Sequence, residues 1–179
     1  MPGNAFIRFL KAAGSPAFPG ESMQKGHFWE DGWLEINDWS WDIEADTNYL
    51  KGSGAAIGKP KPGNLTVSHS FDRSSTHLLN HIVMGTHFFA VQIHMLKQAN
   101  NGQQVFFELM GGSVFVNKVG SKAGEDGNIT QDVELTFKEI AVGYKRQHNS
   151  GDLESVPVTF GWNIAAMNTT LTSAVKLTI

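Results

Sequence analysis

The sequence predicts a mainly β protein, a small antiparallel barrel or sandwich with one short flanking helix, and three observations lead there. Apolar and polar residues alternate with a period of two in many short stretches. Turn chemistry such as Asn101-Gly102 and Asn149-Ser150-Gly151-Asp152 separates those stretches. Only the segment from Asp72 to Gly85 switches to the helical period. The tally is about nine short antiparallel strands.

The most strongly patterned stretch runs from Gln131 to Ile164 and predicts a long β-hairpin. In its first arm Val133, Leu135 and Phe137 alternate with Glu134, Thr136 and Lys138. The apolar side then moves to Ile140, Val142 and Tyr144, which predicts a bulge near Lys138–Glu139 that bends the strand and keeps one face inward. In the second arm Val156, Val158, Phe160, Trp162 and Ile164 alternate with Pro157, Thr159, Gly161 and Asn163. The remaining strands are expected to be laid against this hairpin.

In chain order, Ala5–Leu10 reads as the first strand, and the two prolines and two glycines of residues 11–20 make a loop. A second loop holds His27, Phe28 and Trp29. Trp33–Ala45 reads as a strand whose alternation breaks at Asn37–Asp38, again suggesting a bulge. Residues 51–63 are glycine-rich and poor in strand formers, so a long exposed loop is expected there. Leu65–Phe71 is a strand. Asp72 then offers an N-cap, Gly85 a C-terminal stop, and Leu78, Leu79, Ile82 and Val83 one apolar face, with His77, Asn80 and His81 on the far side. Phe88–Lys97, Gln103–Met110 and Ser113–Val119 are strands. In the first of these Phe89, Val91, Ile93 and Met95 form an apolar face. The other face (Phe88, Ala90, Gln92, His94, Leu96) is mixed and suits a subunit contact or a moist lumen. Residues 1–168 read as a single domain, and alternation from Leu171 to Ile179 makes 169–179 an extension with one extra strand.

Composition narrows the function classes. A formal charge of −3 lacks the basic excess that nucleic-acid binding requires. No stretch is long and apolar enough to span a bilayer as a helix. The opening residues carry no cationic region before their short apolar run, so export is expected to proceed without a cleaved leader. With no cysteine, neither disulfides nor thiolate metal sites contribute. No metal or other cofactor is expected. His77 and His81 sit one helical turn apart, but Leu78 stands where a zinc protease needs glutamate and no third ligand is evident. No nucleophile elbow, carboxylate pair or phosphate loop is present, so no catalytic residues are assigned. A histidine-dependent metallohydrolase is therefore one rival reading. A monomeric carbohydrate-binding sandwich built on Trp29, Trp33, Trp39, Trp41 and Trp162 is another, against which core or interface packing of the same rings is weighed.

Several stretches together resemble one family. They are Gly20-Glu21-Ser22, Trp39-Ser40-Trp41, Asp72-Arg73-Ser74-Ser75 at the helix start, Val133–Phe137 leading to Tyr144, and Phe160-Gly161-Trp162-Asn163. In this order, over about residues 4–168, they are similar to the Hcp family, the haemolysin-coregulated tube protein of bacterial type VI secretion systems. The resemblance implies a β-barrel that assembles into a homo-hexameric ring, rings that stack into a tube, and a contractile sheath and spike as further partners. It implies a protein that is cytoplasmic before assembly and then secreted, carrying small effectors in the lumen, with a structural and not a catalytic role. It also implies that residues 52–63, with Gly52, Gly54, Lys59, Lys61 and Gly63, form the family's extended loop, which contacts the next subunit or ring. The 11–19 loop is longer than the family pattern, and 169–179 runs past its usual end.

Overall fold

The computed structural model describes residues 4–50 and 54–179, with side chains described outside 48–57. Among these residues the chain forms β1 (Ala5–Ala12), β2 (Ser15–Pro16), β3 (Met23–Gln24), β4 (His27–Phe28), β5 (Leu34–Glu35), β6 (Asp38–Ser40), β7 (Ile43–Leu50), β8 (Gly54–Pro62) and β9 (Leu65–Ser70). Helix α1 (Arg73–Met84) follows, then β10 (His87–Ala99), β11 (Gly102–Ala123), β12 (Ile129–Thr136), β13 (Glu139–Tyr144) and β14 (Val158–Asn163).

Ten strands join in one antiparallel sheet, along the path β2-β1-β10-β11-β12-β9-β6, with β5 added to β1 and β13–β14 added to β11. The 22-residue β11 is its hub. One edge of β11 pairs with β10. The other pairs with β13 over residues 107–112 and with β12 over residues 115–123. The two expected strands at 103–110 and 113–119 are therefore one, running through Gly111-Gly112 and past Ser113, whose φ is 53°.

The sheet does not close into the expected barrel, because β2 and β6, at the ends of the path, do not pair with each other. Closure needs two terminal strands that can form a staggered ladder. Here they are two and three residues long. The curled sheet encloses its core without closing.

That core contains Ile7, Phe9, Leu65, Leu78, Ile93 and Leu135. Two smaller clusters, around Ala90 and Met110 and around Phe6 and Trp33, lie beside it. Val133, Leu135 and Phe137 are buried as their alternation required, with Lys138 exposed between Phe137 and Glu139. The predicted bend falls at residues 137–138, between β12 and β13, where Lys138 N–H donates to Gly112 O at 3.0 Å.

Several expectations are corrected. The hairpin at 131–164 is shorter than its pattern implied: β14 pairs only with β13, while the free edge of β12 is taken by β9. The strand expected over 33–45 is broken into three, because β5 follows β1, β6 crosses to β9, and β7 leaves the sheet. The loop expected at 51–63 is half of a hairpin, in which β8 pairs with β7 as a two-stranded sheet of its own. Weak strand formers suffice because Gly58 and Gly63 allow close approach: a Cβ on them would lie 2.7 Å from Asp46 O and 1.9 Å from Asp42 Oδ1. Gly52 lies outside the described residues.

The mixed face of β10 lines no lumen in the single chain. Phe88, Ala90, Gln92, His94 and Leu96 are all buried. Residues 169–179 form no strand. They make a 3-10 turn at Ser173–Val175 and an irregular arm packed on β10, β11 and β13. Helix α1 is rotated from the expected face. Ser74, Ser75 and Leu78 are buried, while Leu79, Val83 and Met84 point outward. Half-buried His81 stacks on Phe88 at 4.0 Å, and exposed His77 stacks on Phe18 at 5.0 Å.

Candidate functional site

The residues singled out in the sequence fall into three regions. The first joins Gly20, Glu21 and the start of α1. Gly20 presses against the backbone after β4, where a Cβ would lie 2.0 Å from Trp33 O. This close approach is locked by Gly20 N–H to Trp29 O (3.0 Å) and Ser22 N–H to Trp33 O (3.1 Å). Glu21 then reaches the helix, accepting the Arg73 N–H at 3.1 Å at an end where the free N–H groups favour an anion. Asp72 caps the helix by accepting from Ser74 N–H at 2.9 Å, and the Ser75 hydroxyl accepts from Asp72 N–H at 3.0 Å, a complete capping box.

The second region is Gly161-Trp162-Asn163 on β14. Asn163 Nδ2 donates to the buried Glu139 (3.1 Å) and to Thr170 O (3.1 Å), tying β13, β14 and the closing segment together. Trp162 packs on the main core, as do Trp39 and Trp41, and Trp39 stacks on Phe107 at 5.2 Å. These three indoles are partly buried packing groups, which does not favour a sugar platform.

The third is the β7–β8 hairpin. Lys59 and Lys61 are exposed, Lys61 pairs with Asp46 at 2.6 Å, and Gly63 N–H donates to Asp42 O at 2.9 Å. The structure does not bring these three regions into one pocket. They are two structural joints and one separate two-stranded hairpin.

Sequence reasoning missed a buried polar chain. Arg8 Nε donates to Gln92 Oε1 (2.7 Å), the Gln92 amide donates to Glu108, His94 Nε2 lies 3.3 Å from Glu108 Oε1, and His94 Nδ1 lies 2.9 Å from His27 Nε2. Gln92 Nε2 also lies 3.0 Å from His94 Nε2, so the amide and the carboxylate both crowd that ring nitrogen. His27 Nδ1 has no protein partner among the described residues. Burial, then His94, then Arg8 push the His27 pKa down to about 4. Burial alone would raise that of Glu108, but hydrogen bonds from His94, Gln92 and Thr178 outweigh it and hold the carboxyl below its usual range. The signal available in the sequence was Glu108 itself, a lone charge inside the apolar run Val105–Met110. Its partners come from two other segments, β10 and residues 169–179, and could not be read locally.

No three His, Cys, Asp or Glu side chains gather as a metal site among the described residues, where no helix is long and apolar enough to cross a membrane. His94 stands between His27 and Glu108 and contacts both.

The comparisons with known proteins follow this geometry. The model of the family described as "Type VI secretion system effector, Hcp" matches residues 9–144. Protein hcp1 of Pseudomonas aeruginosa is 29% identical over 147 residues, covering 81% of this chain and 88% of that protein. A solved "type six secretion system protein" superposes with a TM-score of 0.80 at 20% identity, over 92% of this chain and 97% of the other. Hcp1 from Salmonella typhimurium does so with a TM-score of 0.68 at 25% identity, over 93% and 99%. An open antiparallel sheet with one capped helix is thus the fold of a structural secretion-system component. The chain belongs to the Hcp family, and it is a type VI secretion tube protein.

Proposed function

We propose that the chain forms hexameric rings that stack into the inner tube of a type VI secretion system and are expelled with it, carrying small effectors in the lumen. The family match across residues 9–144 is the observation that carries this reading. The surface supports it. The β7–β8 hairpin forms a sheet of its own, and an isolated two-stranded ribbon is marginal in water, so a neighbouring copy is its natural support. Gly52, Gly54, Lys59, Lys61 and Gly63 belong to this arm and would make the contact between subunits or rings. The edge strand β14 offers Val158 and Phe160, with Val156 just before it, as exposed apolar residues that suit a subunit interface. Sheath and spike proteins would then be the tube's external partners.

Light scattering on the purified protein tests the ring directly. A mass near six times 19.6 kDa is expected, and a monomer persisting at high concentration would remove the proposal. Replacing residues 46–58 by a short glycine turn should leave the ten-stranded sheet folded and impair tube formation and secretion. Unaltered tubes would move the stacking contact elsewhere.

A further inference from the structure

The two carboxylates buried most deeply in the sheet, Glu108 on β11 and Glu139 on β13, are 0% and 4% exposed. Both are capped by the closing segment, and in the same way. Thr172 donates its N–H (3.0 Å) and its hydroxyl (2.6 Å) to the two oxygens of Glu139. Thr178 donates its N–H (2.7 Å) and its hydroxyl (3.0 Å) to the two oxygens of Glu108, and Ile179 N–H adds a third bond at 3.1 Å. Charge-assisted bonds of this kind are about twice as strong as neutral ones.

Between these two clasps the segment is seated by shape. Ala174 and Val175 are buried, and Val175 joins Leu10, Ala90, Met110 and Ala141 in one cluster, with Leu171 and Leu177 packed on it. Three glycines make room for it. A Cβ on Gly112 would lie 3.1 Å from Val175 Cγ1, one on Gly143 would lie 3.0 Å from Ile179 Cδ1, and one on Gly161 would lie 2.6 Å from Leu171 Cδ1. The segment is no strand of the sheet, so its N–H groups at 172, 178 and 179 are read by side-chain carboxylates and not by a backbone ladder.

We propose that this groove is a peptide-docking site whose ligand is residues 169–179 of the chain itself. Glu108 and Glu139 are its two posts, and the segment acts as a latch that closes the β10–β11–β13 face. The groove selects an extended segment with two threonines six positions apart and apolar side chains between them. While the latch is docked, contacts between copies must use other faces. Undocking uncovers an apolar floor flanked by two carboxylates. The docking holds whether or not rings form.

Amide hydrogen exchange on the full chain tests this, with light scattering on the same samples to record the assembly state separately. In the unaltered protein the amides of Thr172, Thr178 and Ile179 should be protected. Glutamine keeps one acceptor oxygen and loses the charge. Glu139→Gln should therefore speed exchange at Thr172, and Glu108→Gln at Thr178 and Ile179, by about tenfold or more. The core amides of Ile93 and Leu135 should be unaffected. Gly161→Ala, which leaves both carboxylates in place, should speed the same segment by displacing Leu171. Unprotected amides in the parent protein, or unchanged exchange in all three variants, would overturn the latch. Uniform acceleration across the sheet would overturn it as well, by assigning the glutamates to the whole fold. If a glutamine variant does not fold, Thr172→Val and Thr178→Val carry the same comparison from the ligand side.

Discussion

His27 Nε2 lies 2.9 Å from His94 Nδ1 inside a cage formed by Phe6 and Trp33, with the Arg8 guanidinium over the same Trp33 ring at 4.7 Å. Two imidazoles this close to each other and to a cation cannot both be protonated at low cost. His27 is therefore held neutral, with its pKa lowered from 6.5 to about 4.

The pH dependence of stability follows, and its sign is set by the direction of the shift. An unfolded chain takes up a proton on His27 near pH 6.5, whereas the folded chain resists until about pH 4. Through His27, stability should be level above pH 7 and fall as pH drops through that window. The lowered pKa of Glu108 acts in the same direction, because its contribution is lost as pH falls through the carboxylate range. Thermal melts between pH 8 and pH 4 measure this. A His27→Gln variant should show a shallower fall between pH 6.5 and pH 4.

Asp72→Ala removes the side chain that caps α1 and half of the capping box. The expected loss is about 1 kcal/mol, within a range of roughly 0.5–2. For a chain of this size that is a shift of a few degrees in Tm, about 2–4 °C per kcal/mol. Denaturant titration and calorimetry give the value, and no change would mean that Glu21 alone suffices at the helix start.

Gly20→Ala should cost more than the side chain's size suggests, because the nearest atom to the new methyl is a backbone oxygen, Trp33 O, at 2.0 Å. A flexible side chain would give way, but this hydrogen-bonded backbone resists. A loss of about 1–3 kcal/mol is expected, as for an overpacked core. Urea unfolding of Gly20→Ala beside Gly14→Ala separates packing from backbone strain. Gly14 sits at φ +69° with nothing within 4 Å of a Cβ, so its cost is conformational alone.

Val158→Asp changes an exposed side chain on the edge strand β14, so the single chain should keep its stability to within about 0.5 kcal/mol. Its mass in solution should fall if this edge meets a second copy, since a buried unpaired carboxylate is costly. An unchanged oligomer would place the interface on another face.

Much of the fold was legible because it depends on local period and punctuation. The alternation at Val133, Leu135 and Phe137, the Asp72 cap and the Gly85 stop all act within a few residues of themselves, and each is found where the pattern put it. The errors arose where a distant partner decided the outcome. Leu79 and Val83 have helical spacing for a core face, but the helix seats Ser74, Ser75 and Leu78 inward and leaves those two exposed. Residues 54–62 have little intrinsic strand preference, yet β7 pairs with them where glycines let the backbones close. Leu171–Ile179 alternates like a strand, but two glutamates from β11 and β13 take its N–H groups instead of a neighbouring strand.

Local pattern alone specifies a mainly β chain with one capped helix, the bend after Phe137, and, through the ordered motifs from Gly20 to Asn163, membership of the Hcp family. Those features rest on short-range geometry or on residue identities that can be read in a line. Tertiary structure alone decided that the sheet stays open, that His94 and Glu108 are buried partners, and that residues 169–179 form a docked arm and not a strand. Each of these depends on which distant segments meet. A buried carboxylate is tolerated only where donors from elsewhere in the chain converge on it, and neither spacing nor composition records that convergence.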